Sequence, residues 1–442
     1  MSRIRAELCR LLSLSWPVVL GQLGTTLMGV EDLVMIGPLG ERAVASVGAG
    51  NLWAFGVLVL GMGTLRGLDP VYSQAHGAGD VERGAAALAR GLVLALLLSI
   101  PVVALHLLGG PVLQLLGQPA EVIPGATTYT SILALGVPFL MVYVVIAQFL
   151  QGLGKMVLPM VVVIVGNLMN ILLNWVLIGG GIFGLELGVT GCALSTAIGR
   201  SITPVLLLAL AWPILKEYRP PPLSVVLERA ELLRLMRLGI PVGLQYGLEV
   251  WAFNAAGLMM GWLGTTALAA HIVALNITSV TFMIPFGLGI AAATRVGNLL
   301  GAGKDWQLSG WVAVGLGAAW MSMSGVVLWV FSEPLVRLYI SNPPVVALAA
   351  TLLPIAALFQ LCDGVQVVSA GVLRGAGDTT TPAFVCLVGF WGLGIPAGWW
   401  LGIHGDAGPQ GVWVALVVGL SVVAVLLVAR LWWLGRRGGI RV

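Results

Sequence analysis

Residues 358–378 read LFQLCDGVQVVSAGVLRGAGD, an apolar run with the acid Asp363 deep inside it. Gln360, Asp363, Gln366 and Ser369 recur every three positions, which on a helix draws one polar stripe along an otherwise apolar rod. Glu31, Asp32 and Glu249 are likewise enclosed by apolar sequence. If these runs cross a bilayer, each ionised carboxylate at mid-depth costs at least about 2.5 kcal/mol on insertion scales, so acids persist there mainly for a task. The reading places no arginine or lysine beside them in mid-span. The expected partner is therefore a mobile cation or a proton rather than a fixed base.

Other polar groups keep helical spacing with these acids. Thr25, Gly29 and Asp32 share one face, whereas Glu31 lies about 100° round the helix from Asp32. Asn167, Asn170 and Asn174, spaced 3 and 4, align three amides that could orient Asp32, line a cleft, or bond between helices purely for packing. Gln245, Glu249 and Phe253 follow at steps of four, setting an acid between an amide and a ring. A carboxylate beside an aromatic face suits an organic cation, although a lone phenylalanine is more often plain apolar surface. His106 and His271 read as hydrogen-bonded packing residues.

The elements that position these groups follow from composition. The 442 residues are 59% hydrophobic and 9% charged, against roughly 25% charged in a soluble domain. The mean hydropathy is +1.02. About 20 apolar residues cross the hydrocarbon as a helix, and twelve spans are expected at roughly 12–37, 44–68, 86–108, 124–150, 157–181, 187–212, 234–262, 266–292, 307–331, 346–371, 380–403 and 410–434. Arginine and lysine are retained on the cytoplasmic side. With Arg42 and Arg337 as the expected exceptions, this puts both termini in the cytoplasm of a cell whose inner membrane holds the chain. The net charge of +4 then reflects retention, not a nucleic-acid surface. Cys9, Cys192, Cys362 and Cys386 have no paired spacing and read as packing residues.

The chain looks duplicated. ELCRLLSLSWP from Glu7 to Pro17 is echoed 224 residues later by ELLRLMRLGIP from Glu231 to Pro241, and the same offset carries Gly77-Ala78-Gly79 onto Gly301-Ala302-Gly303. RGAGD at 374–378 echoes QGLGK at 151–155. The expected architecture is an all-α integral membrane protein with two parallel six-helix repeats around a central cleft. Its lobes are 1–212 and 231–442, joined by a cytoplasmic linker at 213–230 that contains three consecutive prolines. Pro17 and Pro241, at equivalent places in acid-bearing helices, are positions where a bend could change how those acids are presented. There is no GxxxxGK[ST] phosphate loop, no HExxH, and no Cys/His metal cluster, so neither ATP hydrolysis nor a cofactor is expected.

At Met28–Gly37 (MGVEDLVMIG), Gly239–Glu249 (GIPVGLQYGLE), Ala291–Gly303 (AAATRVGNLLGAG) and Phe359–Asp378, the chain resembles the multidrug and toxic compound extrusion (MATE) family, most closely its NorM-like subgroup. The resemblance implies a secondary antiporter that exports cationic drugs or dyes against inward Na⁺ or H⁺. It also implies coupling acids at Asp32, Glu249 and Asp363, with Glu249 and Asp363 holding the monovalent cation if Na⁺ is used. Asn170 and Asn174 look like the family's polar pair in the fifth helix, while Gln245, Phe253, Gln360 and Gln366 are expected to line the cleft. Glu31 stands where the family usually has an apolar residue, and no role is carried over for it. The rival readings are a lipid-linked precursor flippase, which would need a cationic cleft, and an intramembrane hydrolase, which would need two acids in direct hydrogen-bond reach.

Overall fold

The computed structural model describes residues 2–179 and 185–442; positions 180 and 181, where the expected fifth span ends, lie outside the described residues. Twelve long helices follow one another: α1 (Ser2–Ile36), α2 (Glu41–Arg66), α3 (Val81–Leu107), α4 (Ile123–Gly152), α5 (Val157–Leu177), α6 (Gly188–Leu215), α7 (Arg229–Trp262), α8 (Thr265–Gly301), α9 (Gln307–Val330), α10 (Pro343–Gly375), α11 (Thr380–His404) and α12 (Gly408–Arg436). Among the described residues, eleven helical stretches are long and apolar enough to cross a membrane. The remaining expected span, 234–262, falls within α7, a continuous helix of 34 residues made more polar by Arg229, Glu231, Arg234 and Arg237 at its start. In α11, π-helical turns at Leu387–Gly394 and Trp400–His404 widen the winding around a proline-containing turn. Large apolar side chains such as Val34, Ile100, Leu135, Val205 and Trp400 remain exposed, as lipid-facing helices require.

The duplication is written in the backbone. Glycines with positive φ recur in pairs: Gly40 and Gly264 (+95° and +119°), Gly79 and Gly303 (+71° and +68°), Gly154 and Gly377 (+75° and +87°). After the last four, the next residue's N–H reaches back to a carbonyl five positions earlier: Asp80 to Ala75 (3.0 Å), Lys155 to Leu150 (2.8 Å), Lys304 to Leu299 (2.8 Å) and Asp378 to Leu373 (2.9 Å). This is the Schellman closure that a left-handed glycine permits, used at matching helix ends in both halves. The RGAGD turn is further tied by Asp378, which accepts from the Thr381 N–H (3.1 Å) and hydroxyl (2.9 Å) and from Arg430 Nε (2.6 Å).

Packing divides the chain differently from the repeat. One compact unit comprises residues 1–19 and 244–442, the other 20–243. Both boundaries, after Val19 and after Gly243, fall two residues beyond the equivalent prolines Pro17 and Pro241. In the first unit the leading part of α1 packs on α8. A Cβ at Gly287 would stand 2.6 Å from Val19 Cγ2, and Arg295 donates twice to Glu7, at 2.6 and 3.0 Å. In the second unit the leading part of α7 packs on α2. A Cβ at Gly239 would lie 2.3 Å from the Thr64 carbonyl oxygen, and Arg90 meets Glu231 at 3.3 Å. Glu7 and Glu231 are repeat equivalents, so each half opens with a helix whose first turns are clasped by an arginine of the other half. Small residues make the close approach possible.

Two glycines separate conformation from crowding. A Cβ at Gly79 meets nothing within 4 Å, whereas one at Gly377 would lie 2.4 Å from the Ile440 carbonyl oxygen. Gly79→Ala is expected to cost about 1 kcal/mol, the left-handed penalty alone. Gly377→Ala should cost clearly more, read as a larger fall in the melting temperature of the detergent-purified protein.

Candidate functional site

In the unit of residues 20–243, α1, α5 and α6 converge on Asp32, whose side chain is buried. Asn174 Nδ2 donates to Asp32 Oδ1 at 2.7 Å, and the Thr196 hydroxyl lies 3.1 Å from Oδ2. Asn170 joins both partners: its Oδ1 accepts from Asn174 Nδ2 (3.0 Å) and its Nδ2 reaches Thr196 Oγ1 (3.5 Å). Ser195 donates to Asn174 Oδ1, and both hydroxyls contact the Cys192 carbonyl, at 2.8 and 3.1 Å. The result is one carboxylate surrounded by neutral oxygens and amides. The third amide of the stripe, Asn167, donates instead to the Gly24 carbonyl at 2.6 Å, the packing role that the spacing also allowed. Thr25 returns its hydroxyl to Gly21 of its own helix (3.0 Å).

The unit of residues 1–19 and 244–442 holds the other two acids. Glu249 Oε1 accepts from Gln366 Nε2 (2.7 Å), Gln245 Nε2 (3.1 Å) and the Cys386 thiol (3.3 Å). Asp363 is buried one helical turn before Gln366 on α10, the residue that bonds Glu249, and it stands within the field of the Glu249 carboxylate. Neither carboxylate makes an ion pair among the described residues, and Asp363 makes no hydrogen bond there. Arg374 bonds Tyr246 Oη at 3.1 Å and acts on Glu249 only through space. Gln360 is tied to the Thr281 hydroxyl. Phe253 packs edge-on to Phe359 (5.8 Å between centroids) and tilted on Phe390 (6.1 Å), inside an aromatic cluster.

Sequence reasoning missed Ser195, Thr196 and Cys386. Small hydroxyls and thiols are ordinary packing groups in membrane helices, and their spacing within one helix does not say which acid they meet. It also erred at Arg200. The expectation that no arginine or lysine stands in mid-span near the acids is overturned, because Arg200 lies in the middle of α6, one turn beyond Thr196, and its charge reaches Asp32. Assigning every cation to the membrane edges by retention hid it. Glu31 is half-buried, and its Oε2 makes no hydrogen bond among the described residues. No group of three or more His, Cys, Asp or Glu side chains that could hold a metal occurs among the described residues.

Duplicated six-helix halves, multiple spans and lone buried acids define a membrane transporter scaffold. The MatE family model matches residues 17–176 and again 241–400, once per half and beginning at each of the two equivalent prolines. The chain belongs to the MatE (MATE) family of transporters and is not an enzyme. It is 37% identical over 442 residues to the probable multidrug resistance protein NorM of Burkholderia pseudomallei, covering 97% of this chain and 93% of the relative. It is 33% identical over 450 residues to the multidrug resistance protein NorM of Vibrio cholerae, covering 99% and 98%. Among solved structures it shares its fold with the eukaryotic MATE transporter AtDTX14 (TM-score 0.90, 24% identity, 98% of each chain). It likewise matches the bent form of the Vibrio cholerae MATE transporter VcmN (TM-score 0.85, 20% identity, 99% of each chain).

The two kinds of asparagine should separate in experiment. Asn174→Ala strips Asp32 and Ser195 of a buried partner and should destabilise by about 1–3 kcal/mol, in a manner suppressed when Asp32→Asn is already present. Asn167→Ala, whose partner is a backbone carbonyl, should destabilise independently of Asp32. Melting temperatures of the double-mutant cycle check both.

Proposed function

We propose that this transporter is a multidrug efflux antiporter of the cytoplasmic membrane, exporting small organic cations in exchange for Na⁺ or H⁺ by alternating access, with both termini cytoplasmic. The observation that carries the reading is the pair Glu249 and Asp363: two neighbouring carboxyls in membrane-spanning helices without an ion-pair partner among the described residues. Two negative charges in a low-dielectric surrounding repel each other and are poorly solvated, so at least one must hold a proton or a cation. The multidrug resistance names of relatives more than 30% identical over nearly the whole chain support drugs as cargo.

The donor sets of the two sites differ. The amide N–H and S–H donors all converge on Glu249 Oε1, while no hydrogen bond among the described residues reaches Glu249 Oε2 or the Asp363 carboxyl. These oxygens can take a proton, an organic cation or, if the exchange uses it, Na⁺. Asp32 accepts from Asn174 Nδ2 and from the Thr196 hydroxyl, and its single negative charge, with the Thr196 oxygen beside it, suits a monovalent cation. Competition supplies the coupling: an ion shifts the balance between access states only by its difference in affinity for them. Gln245, Gln360 and Gln366 set the polarity around the second station, and Phe253 supplies apolar surface beside it.

Proteoliposomes loaded with ethidium and given Na⁺ and pH gradients separately test the reading. Wild-type protein should move dye under at least one gradient, and Asp363→Asn should lose at least tenfold of that rate. Retention of gradient-driven efflux by Asp363→Asn would sink the assignment.

A further inference from the structure

Arg200 is a charged residue in the middle of a membrane-spanning helix, and nothing in the exchange proposed above uses it. Its side chain is accommodated by the absent side chain of Gly136 on α4: a Cβ there would stand 3.1 Å from Arg200 Cβ and 3.2 Å from its Cδ. The guanidinium makes no ion pair or hydrogen bond among the described residues, and Nη1 is fully buried. A planar fork of five donors held at this depth without a partner is costly and survives only if a counter-charge is in reach. The candidate counter-charge is Asp32, reached through Thr196 one turn back along the helix. Thr196 and Arg200 are four apart on α6 and so share a face, and the Thr196 hydroxyl contacts Asp32 Oδ2 at 3.1 Å. Through space Arg200 is coupled to Tyr129 as well as to Asp32. The other titratable groups around the pair are Glu31, Tyr129, Cys192 and His106, none of them a strong fixed cation.

We propose that Arg200 is the resident counter-charge of the Asp32 site: its guanidinium competes through space with the coupling cation and sets how loosely that cation is held. This rests on the reading of Asp32 as a coupling-ion station. The hold of a buried carboxylate on a cation depends on every other charge near it. A fixed positive charge on the helix face that carries Thr196 weakens the complex without touching the ion, so the ion can both enter and leave. Arg200 is thus a positioning residue for the ion equilibrium, acting through Asp32, and needs no contact with the drug.

The test is equilibrium binding on the full-length protein in detergent, which requires no transport and so fails separately from the efflux reading. Na⁺ titrations at fixed pH and pH titrations without Na⁺, both followed by intrinsic tryptophan fluorescence, measure the affinity for each ion. Arg200→Gln should tighten the ion that wild-type protein binds by about tenfold, equivalent to about 1.4 kcal/mol. Arg200→Lys, which keeps the charge, should stay within about threefold of wild type. In an Asp32→Asn background, Arg200→Gln should have no effect. Unchanged or weaker binding in Arg200→Gln overturns the proposal, as does tightening that persists without Asp32. If Arg200→Gln alone fails to reach the membrane, the double variant Asp32→Asn/Arg200→Gln should restore insertion because no lone charge is left. Failure of that rescue likewise counts against the pairing.

Discussion

A carboxylate surrounded by hydrocarbon and helix must be compensated, and the form of compensation governs what the protein can do. A fixed ion pair would neutralise the charge permanently and leave nothing to exchange. Hydrogen bonds from amides and hydroxyls stabilise the anion only in part, and the remainder falls to something that comes and goes. Asp32 and Glu249 are both of this second kind: each is bonded by neutral donors, and neither is paired with a base among the described residues. Asp363 has less support still, with a neighbouring acid and no hydrogen bond among the described residues. The surrounding helices are arranged so that these charges stay buried and incompletely satisfied.

The duplication supplies the scaffold and leaves the chemistry to diverge. Matching glycine turns close matching helices, and matching acid–arginine clasps hold the opening turns of α1 and α7. At the repeat offset, however, Asp32 falls on Ala256 and Glu249 on Thr25. The two units therefore differ at their buried acids: in one, Asp32 is bonded by Asn174 and Thr196 with Arg200 a turn beyond the latter, and in the other, Glu249 and Asp363 stand among amide and thiol donors. In the exchange proposed above this asymmetry is useful, since sites with different ligands can respond to different cations.

Much of this was legible in the sequence because a bilayer leaves few options. Apolar runs of about 20 residues must be helices when every backbone group has to be satisfied internally, and an acid inside such a run announces itself by its cost. The bond from Asn174 to Asp32, with Asn170 tied to Asn174 and Thr196 behind it, is one of the roles the shared amide face allowed, but the same spacing gave Asn167 a different partner, since helix crossing decides which turn meets which neighbour. Thr196, Ser195 and Cys386 were invisible for want of any polarity unusual in a membrane helix. Arg200 was visible by type and was lost by counting cations as boundary markers. The packing boundaries beyond Pro17 and Pro241 could not be read either, because a repeat in sequence says where copies begin and not which helices they pack against.

The central claim is that an exchangeable cation neutralises the buried acids and that a drug competes with it. Calorimetric titration of ethidium into the purified protein, in buffers of different ionisation enthalpy and with and without Na⁺, counts the protons and detects the Na⁺ displaced as the dye binds. The account predicts close to one cation released per dye bound, with proton release lost in Asp363→Asn. Dye binding that releases neither ion would contradict it.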